Sequence, residues 1–251
     1  MAENTLQKLL ATFRLLYAAD TFAQQAKDAS TKNFSHLEFL ESLLSQEDAL
    51  RHERVVQSRI REAKFPVIKT IDTLDWAHPT SIPKQLILNA FSLEFIDKKD
   101  NLIFVGPSGL GKTHLALALG YAACQKELKV LWTTAADLVN SLVAAKSDLS
   151  LSRAIKHFCA PKLLIVDELG FLPLDKDGSD LLFQVLSHRY EQGSVVLTTN
   201  RAFKDWGKIF NDNAVDSAVL DRLVHHSEVV KIEGASYRVK HRKDRSAHAA
   251  G

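Results

Sequence analysis

The sequence predicts an α/β fold in which a parallel β-sheet is flanked by helices and preceded by a small helical domain. Two observations lead to this prediction. After residue 85, short runs rich in Val, Ile and Leu alternate with helix-like stretches, as in parallel sheets whose strands are buried on both faces. Before residue 68, apolar residues recur at three- and four-residue spacing, which is typical of amphipathic helices. We therefore expect a helical domain (1–68), a linker (69–84) and an α/β domain (85–251).

The N-terminal helices are predicted from apolar spacing and charge. Apolar residues follow helical spacing between residues 6 and 17 and again between 37 and 44. Residues 47–64 are typical of a charged helix, and Phe65-Pro66 ends it. Three prolines between residues 66 and 84 then indicate a linker.

The sheet of the second domain is predicted to contain five strands. The apolar runs cover residues 102–105, 129–134, 162–167, 194–199 and 228–232. Helix-like stretches lie near residues 113–125, 135–146, 151–160, 178–191 and 203–226. Ligands of such sheets bind at the carboxyl ends of the strands, so we expect the functional residues there.

Bulk properties restrict the class of protein. The net charge of +2 argues against nucleic-acid binding by the molecule's overall charge, although local basic segments remain candidates. No apolar stretch approaches the roughly 20 residues that a membrane span requires, and the N-terminus has no secretory signal pattern. We therefore expect a cytoplasmic protein without a membrane partner. Cys124 and Cys159 are expected to be reduced core thiols.

A glycine-rich loop follows the first predicted strand of the sheet. Residues 106–113 have the sequence Gly-Pro-Ser-Gly-Leu-Gly-Lys-Thr, which matches the G-x-x-x-x-G-K-[ST] phosphate-binding pattern. Because the loop leads into a helix, its N–H groups and the positive helix end point to one place. Lys112 is expected to reach the β- and γ-phosphates, and Thr113 to ligate Mg²⁺. The predicted nucleotide-binding residues are Gly106, Pro107, Ser108, Gly109, Leu110, Gly111, Lys112, Thr113 and His114.

Polar residues end the third and fourth predicted strands. Asp167 and Glu168 close the apolar run Leu163–Val166, where carboxylates need a counter-charge. A magnesium–nucleotide complex supplies one: Asp167 would hold Mg²⁺ through water, and Glu168 would deprotonate the attacking water. Asn200 follows the fourth strand, in a position to hydrogen-bond the γ-phosphate or that water. Asparagine is also common at strand ends.

These motifs, with Asp221-Arg222-Leu223 and Ser236-Tyr237-Arg238, resemble those of an AAA+ ATPase, a P-loop NTPase. The chain is most similar to the IstB-like transposition helper ATPases, which are related to DnaC-type helicase loaders. The resemblance implies ATP and Mg²⁺ as cofactors and a truncated C-terminal lid. It also implies a homo-oligomer with shared ATP sites, in which Arg222 reaches a neighbouring subunit's nucleotide and Arg238 acts as the second sensor.

Double-stranded DNA is the expected macromolecular partner. Arg51 and Arg54 share a face of the charged helix. The resemblance to initiator and loader ATPases implies further contacts from the helices between the second and third strands, at Lys146, Arg153 and Lys156. Any one of these cations is equally typical of a solvated surface.

Our leading hypothesis is an ATP-dependent DNA-binding helper that oligomerises on DNA and recruits or activates a transposase, with hydrolysis controlling disassembly. A replicative helicase loader is the nearest alternative. The chain has no cysteine before Cys124, which disfavours a loader with an N-terminal zinc module. A non-hydrolytic switch would not need Glu168. A small-molecule kinase would need an acceptor pocket and a lid, which the sequence does not indicate.

Overall fold

The computed structural model describes residues 2–76, 81–171, 174–206, 223–234 and 236, apart from the side chains of residues 2 and 3. The chain divides into two units, Met1–Ser58 and Arg59–Gly251. In the described part of the chain, no helix is long and apolar enough to cross a membrane.

The first unit is helical. Its helices are α1 (Ala2–Thr12), α2 (Leu16–Thr31) and α3 (His36–Glu62), and α3 continues into the second unit. The two helical segments predicted between residues 37 and 64 are one helix, and α2 was predicted only at its start. The buried residues of α2 are Ala18, Ala19 and Ala29, and these small side chains produce a weak apolar pattern.

The second unit contains the predicted parallel sheet. Its strands are β1 (Asn101–Val105), β2 (Val130–Thr134), β3 (Leu163–Leu169), β4 (Ser194–Thr199) and β5 (Ser227–Lys231). They lie in the order β2-β3-β4-β1-β5, and every neighbouring pair is parallel. The buried apolar residues of β1, β3 and β4 explain why these strands appear in the sequence as uninterrupted apolar runs.

Helices cover both faces of the sheet. They are α4 (Lys84–Ala90), α5 (Glu94–Lys98), α6 (Lys112–Gln125), α7 (Ala135–Ser147), α8 (Leu151–Cys159) and α9 (Lys176–Arg189). One core cluster includes Leu138, Phe158 and Val185 from α7, α8 and α9. The other includes Ile87 and Leu119 from α4 and α6. The predicted fold class is therefore confirmed. The C-terminal lid and most of the stretch 203–226 lie outside the described residues.

Residues 59–76 pack onto the sheet unit, although residues 59–68 were assigned to the N-terminal domain and the rest to a linker. The Ala63 carbonyl accepts a hydrogen bond of 2.9 Å from the Trp132 amide, which belongs to the edge strand β2. A Cβ added to Gly120 of α6 would meet the Phe65 ring at 2.8 Å. The proline-containing segment that follows α3 is therefore held against the sheet unit by close packing, as far as residue 76.

Candidate active site

The glycine-rich loop joins β1 to the N-terminus of α6, at the carboxyl end of the sheet. Gly106 lies so close to Ile232, the residue after β5, that a Cβ there would overlap the Ile232 carbonyl oxygen. Gly111 has a φ of 86° and precedes the first turn of α6, and this left-handed conformation favours glycine. Leu110 is buried and anchors the loop between Gly109 and Gly111. The loop thus presents its backbone to a ligand at a helix N-terminus, which suits an anion.

The side chain of Lys112 folds back onto the start of the loop. Its ammonium group donates hydrogen bonds to the carbonyl oxygens of Gly106 (2.6 Å) and Pro107 (2.7 Å), and the residue is 8% exposed. A buried ammonium needs such acceptors. Phosphate oxygens are acceptors of the same kind, so this side chain is placed to exchange carbonyl for phosphate partners.

Asp167 brings together two hydroxyl groups. Its Oδ1 accepts a hydrogen bond of 3.0 Å from Thr113 and a second, short one from Thr198. Asp167 is 2% exposed, and no lysine or arginine among the described residues forms an ion pair with it. Hydroxyl and carboxylate oxygens are the hard ligands that Mg²⁺ prefers. The residues present therefore fit a magnesium ion, and Thr113 and Asp167 would hold it.

A polar cavity of about 80 Å³ lies beside this carboxylate. Glu168 and Asn200, both exposed, line it. The remaining lining residues come from the loop, from the start of α6, from β4 and from Phe171; they are Ser108, Gly109, Lys112, Thr113, Phe171, Thr198 and Thr199. The structure thus brings the predicted loop, acidic and asparagine residues to one place.

A second, larger cavity of about 440 Å³ also lies beside the loop. Segment 67–75 forms one wall, and residues 109–114 with Leu117 form the other. His114 Nε2 lies 3.0 Å from the Thr70 carbonyl oxygen and 3.2 Å from Thr73 Oγ1. Burial lowers the pKa of His114, and the nearby charge of Lys69 lowers it further. The hydrogen bond with Thr70 raises this pKa, but by less than burial lowers it. The side chain therefore lines the cavity as a neutral group at neutral pH.

The candidate DNA-binding residues fall in two groups. Arg51 and Arg54 are exposed on α3 in the first unit. In the second unit, Arg153 and Lys156 are exposed on α8, whereas Lys146 on α7 forms an ion pair of 2.8 Å with Asp177. This hydrogen bond and the charge of Asp177 raise the pKa of Lys146. Because Asp177 already pairs with its ammonium group, Lys146 is less available to phosphates than Arg153 and Lys156.

Sequence comparison places the chain in a family. The family described as IstB-like ATP binding protein matches residues 8–245. The chain belongs to this family.

Individual IstB-like relatives match over most of their length. The ATP-binding protein of insertion sequence IS5376 from Geobacillus stearothermophilus is 40% identical over 225 residues, which are 90% of each chain. That of IS21 from Pseudomonas aeruginosa is 35% identical over 240 residues, or 96% of this chain and 91% of the relative. The protein is thus an insertion-sequence-associated ATPase, as predicted.

Solved structures share the fold of this IstB-like ATPase. The DnaC helicase loader matches with a TM-score of 0.53 and 21% identity, covering 65% of this chain and 96% of its own. DnaA from Aquifex aeolicus, bound to AMPPCP, matches with a TM-score of 0.55 and 18% identity, covering 71% of this chain and 54% of its own. At this identity the likeness shows an AAA+ fold.

Sequence reasoning gave no role to two features that the structure places at the site. Thr198 contacts Asp167, and segment 67–75 lines the larger cavity. The threonines at the end of this apolar strand were a signal for the first, but a role in the site was assigned to Asn200 alone. Arg222 and Arg238 lie outside the described residues.

Proposed function

We propose that this protein is the ATP-dependent DNA-binding helper of an insertion sequence. It assembles as a homo-oligomer on double-stranded DNA and recruits or activates the transposase of the same element, and ATP hydrolysis controls disassembly. The observation that carries the proposal is the convergence of the loop, Asp167, Glu168 and Asn200 beside one polar cavity. The ATP-binding proteins of insertion sequences among its relatives support the biological setting.

Each group of residues in the site has a separate role in ATP hydrolysis. Loop residues 106–113 bind the phosphates, with the nucleoside in the larger cavity beside His114. Bound Mg²⁺ would neutralise charge on the phosphate oxygens, held by Thr113 directly and by Asp167 through water. Glu168 takes the proton of the attacking water, and Asn200 hydrogen-bonds that water or the γ-phosphate.

The site needs a further positive charge, and we assign it to a neighbouring subunit. Lys112 is the only cation among the described residues that line the polar cavity. Charge develops on the transferred phosphoryl group, and an arginine is suited to stabilise it. Arg222 of the next subunit takes this role in our proposal, and Arg238 takes the second-sensor role.

Mixing two inactive variants tests the shared site. Arg222→Ala lacks the donated arginine and Lys112→Ala lacks the phosphate contact, so a mixed oligomer contains some sites with both groups intact. We expect each variant alone to be inactive and the mixture to recover part of the ATPase activity. A mixture that stays as inactive as its components contradicts the shared site.

The DNA interaction is proposed to be mainly with phosphates. The exposed cations Arg153 and Lys156 on α8, and Arg51 and Arg54 on α3, can each contact the backbone, and the pairing of Lys146 with Asp177 makes its contribution smaller. Phosphate contacts carry little sequence information and weaken steeply with salt. We therefore expect low sequence preference and a strong salt dependence.

The deciding experiment measures assembly on a linear DNA duplex with ATP, with ADP and without nucleotide. We expect sedimentation to show large complexes only with ATP, and Glu168→Gln to keep them because turnover stops. The co-expressed transposase should bind these complexes. Assembly that does not depend on ATP contradicts the proposal, whereas binding to the replicative helicase in place of the transposase favours a helicase loader.

A further inference from the structure

Thr198 connects the two acidic residues of the site through one oxygen atom. Its hydroxyl donates to Oδ1 of Asp167 and accepts a hydrogen bond of 3.0 Å from the backbone N–H of Glu168. The side chain is 1% exposed and belongs to β4, where Thr198 pairs with Phe104 of β1. The hydroxyl therefore has a fixed position inside the sheet.

The contact lies at an irregularity in the sheet. Val166 of β3 pairs with Leu197 of β4, and Leu169 pairs with Thr199. Three steps along β3 thus correspond to two along β4, so that two residues, Asp167 and Glu168, lie opposite the single residue Thr198. This is the arrangement of a β-bulge, which redirects side chains near active sites.

The bulge changes where the two carboxylates lie. Successive side chains of a regular strand point to opposite faces, whereas Asp167 is buried beside the loop and Glu168 lines the polar cavity. Glu168 has a φ of 62°, which is unfavourable for a residue with a Cβ. Its N–H is satisfied by the Thr198 side chain. The hydroxyl of Thr198 thus supports the unusual backbone conformation of Glu168.

We propose that Thr198 is a positioning residue for ATP hydrolysis, acting through Glu168 and Asp167. It holds the carboxylate of Asp167 and the backbone of Glu168 in a fixed relation, which sets the water-activating group relative to the metal-binding group. This inference rests on the roles proposed above for these two acidic residues. Thr113 donates to the same Oδ1, so Thr198 would still hold the carboxylate if Thr113 ligated a metal ion.

Thr133 provides a matched comparison in the same sheet. It is 8% exposed and belongs to β2, and its hydroxyl donates a hydrogen bond of 3.1 Å to the Thr134 carbonyl oxygen. It lines neither the polar cavity nor the larger cavity beside the loop. Replacing either threonine by valine removes one buried hydroxyl and keeps the shape of the side chain.

The test compares Thr198→Val, Thr198→Ser and Thr133→Val in the full chain. We expect Thr198→Val to lower kcat about 10- to 100-fold, because small misplacements of a catalytic group have effects of this size. The dissociation constant for ATP should change less than about 3-fold, since the phosphate contacts of the loop remain. Thr198→Ser should recover most of kcat. Thr133→Val should reduce thermal stability by removing one buried hydrogen bond, while keeping kcat within about 3-fold of the unchanged protein.

A double-mutant cycle with Glu168→Gln separates positioning from general stability. If Thr198 acts through Glu168, adding Thr198→Val to Glu168→Gln should reduce single-turnover hydrolysis little further. Three outcomes would overturn the inference: equal effects of Thr198→Val in both backgrounds, equal losses of kcat in Thr198→Val and Thr133→Val, or no recovery with Thr198→Ser. If Glu168→Gln is inactive and Thr198→Val is fully active, the positioning role of Thr198 is rejected while the proposed role of Glu168 stands. A fully active Glu168→Gln rejects the proposed role of Glu168 and this inference with it.

Discussion

The hydroxyl of Thr113 donates a hydrogen bond of 3.0 Å to Oδ1 of Asp167, although 54 positions separate the two residues in the sequence. Thr113 lies in the first turn of α6, and Asp167 lies near the end of β3. The bond therefore joins the helix that follows the phosphate loop to the acidic strand. Both groups are oxygen ligands, so the pair is a candidate for the Mg²⁺ part of the site.

Thr113→Val should weaken the binding of ATP in the presence of Mg²⁺. Valine keeps the shape of the side chain but cannot ligate a metal, and we expect the Mg²⁺-dependent gain in ATP affinity to fall about 10-fold or more. Affinity measured by calorimetry in EDTA should change little. Thr113→Ser retains a hydroxyl and serves as the control. A valine variant with the full Mg²⁺-dependent gain would show that Thr113 does not hold the ion.

Lys112→Ala should lose ATP affinity by about 10- to 100-fold, because a hydrogen bond between charged groups is removed from the phosphate site. Lys126 lies at the C-terminal end of α6, the end away from the phosphate loop, and donates a hydrogen bond of 3.1 Å to the Ser92 carbonyl oxygen. Lys126→Ala is therefore the control and should bind ATP normally. Calorimetric titration measures both affinities. Unchanged affinity in Lys112→Ala would contradict the placement of the phosphates.

The sequence predicted the sheet and the position of the site because both depend on local patterns. Buried parallel strands appear as apolar runs, and the loop motif marks the carboxyl end of β1. The bulge at Asp167 and Glu168 was not predictable from the sequence. In a regular sheet a backbone carbonyl would accept from the Glu168 N–H, whereas here the side chain of Thr198, 30 positions away, accepts from it. Packing between distant segments, such as Phe65 against Gly120, likewise leaves no periodic signal.

Cys124 should resist alkylation in the folded protein. The residue is fully buried, and burial raises the pKa of its thiol to about 12, so the reactive thiolate is rare. Cys159→Ser isolates this thiol, and N-ethylmaleimide should modify it slowly near pH 8 but rapidly in denaturant. Modification at equal rates with and without denaturant would contradict its burial.

The raised pKa of Cys124 also predicts that the protein loses stability at alkaline pH. Above about pH 9, the thiol ionises in the unfolded chain but stays protonated in the folded one. The unfolded state then binds fewer protons, so the free energy of unfolding falls as the pH rises. Urea unfolding of Cys159→Ser should show this alkaline loss, and adding Cys124→Ala should reduce it. An equal alkaline loss in both proteins would assign the effect to other groups.

Arg189 holds the amino-terminal ends of two strands together, and we expect its replacement to destabilise the sheet unit. The side chain is 2% exposed. Its guanidinium donates to five backbone carbonyl oxygens at distances of 2.7 to 3.2 Å; they belong to Phe158, Cys159, Pro161, Lys162 and Ser194. Burial lowers the pKa of Arg189 to about 10, so the group stays charged at neutral pH.

Arg189→Lys should lower the free energy of unfolding by about 3–5 kcal/mol, because one ammonium group cannot reach carbonyl oxygens that a planar guanidinium bonds together. Tryptophan fluorescence during urea unfolding reports on the sheet unit, since Trp76, Trp132 and Trp206 all lie within it. The exposed Arg153→Lys should change stability by less than about 0.5 kcal/mol. Lys162 and Ser194 lie at the ends of β3 and β4 opposite the phosphate loop, so the folded fraction of Arg189→Lys should bind ATP normally. A stable Arg189→Lys variant would show that a single ammonium group suffices at this junction.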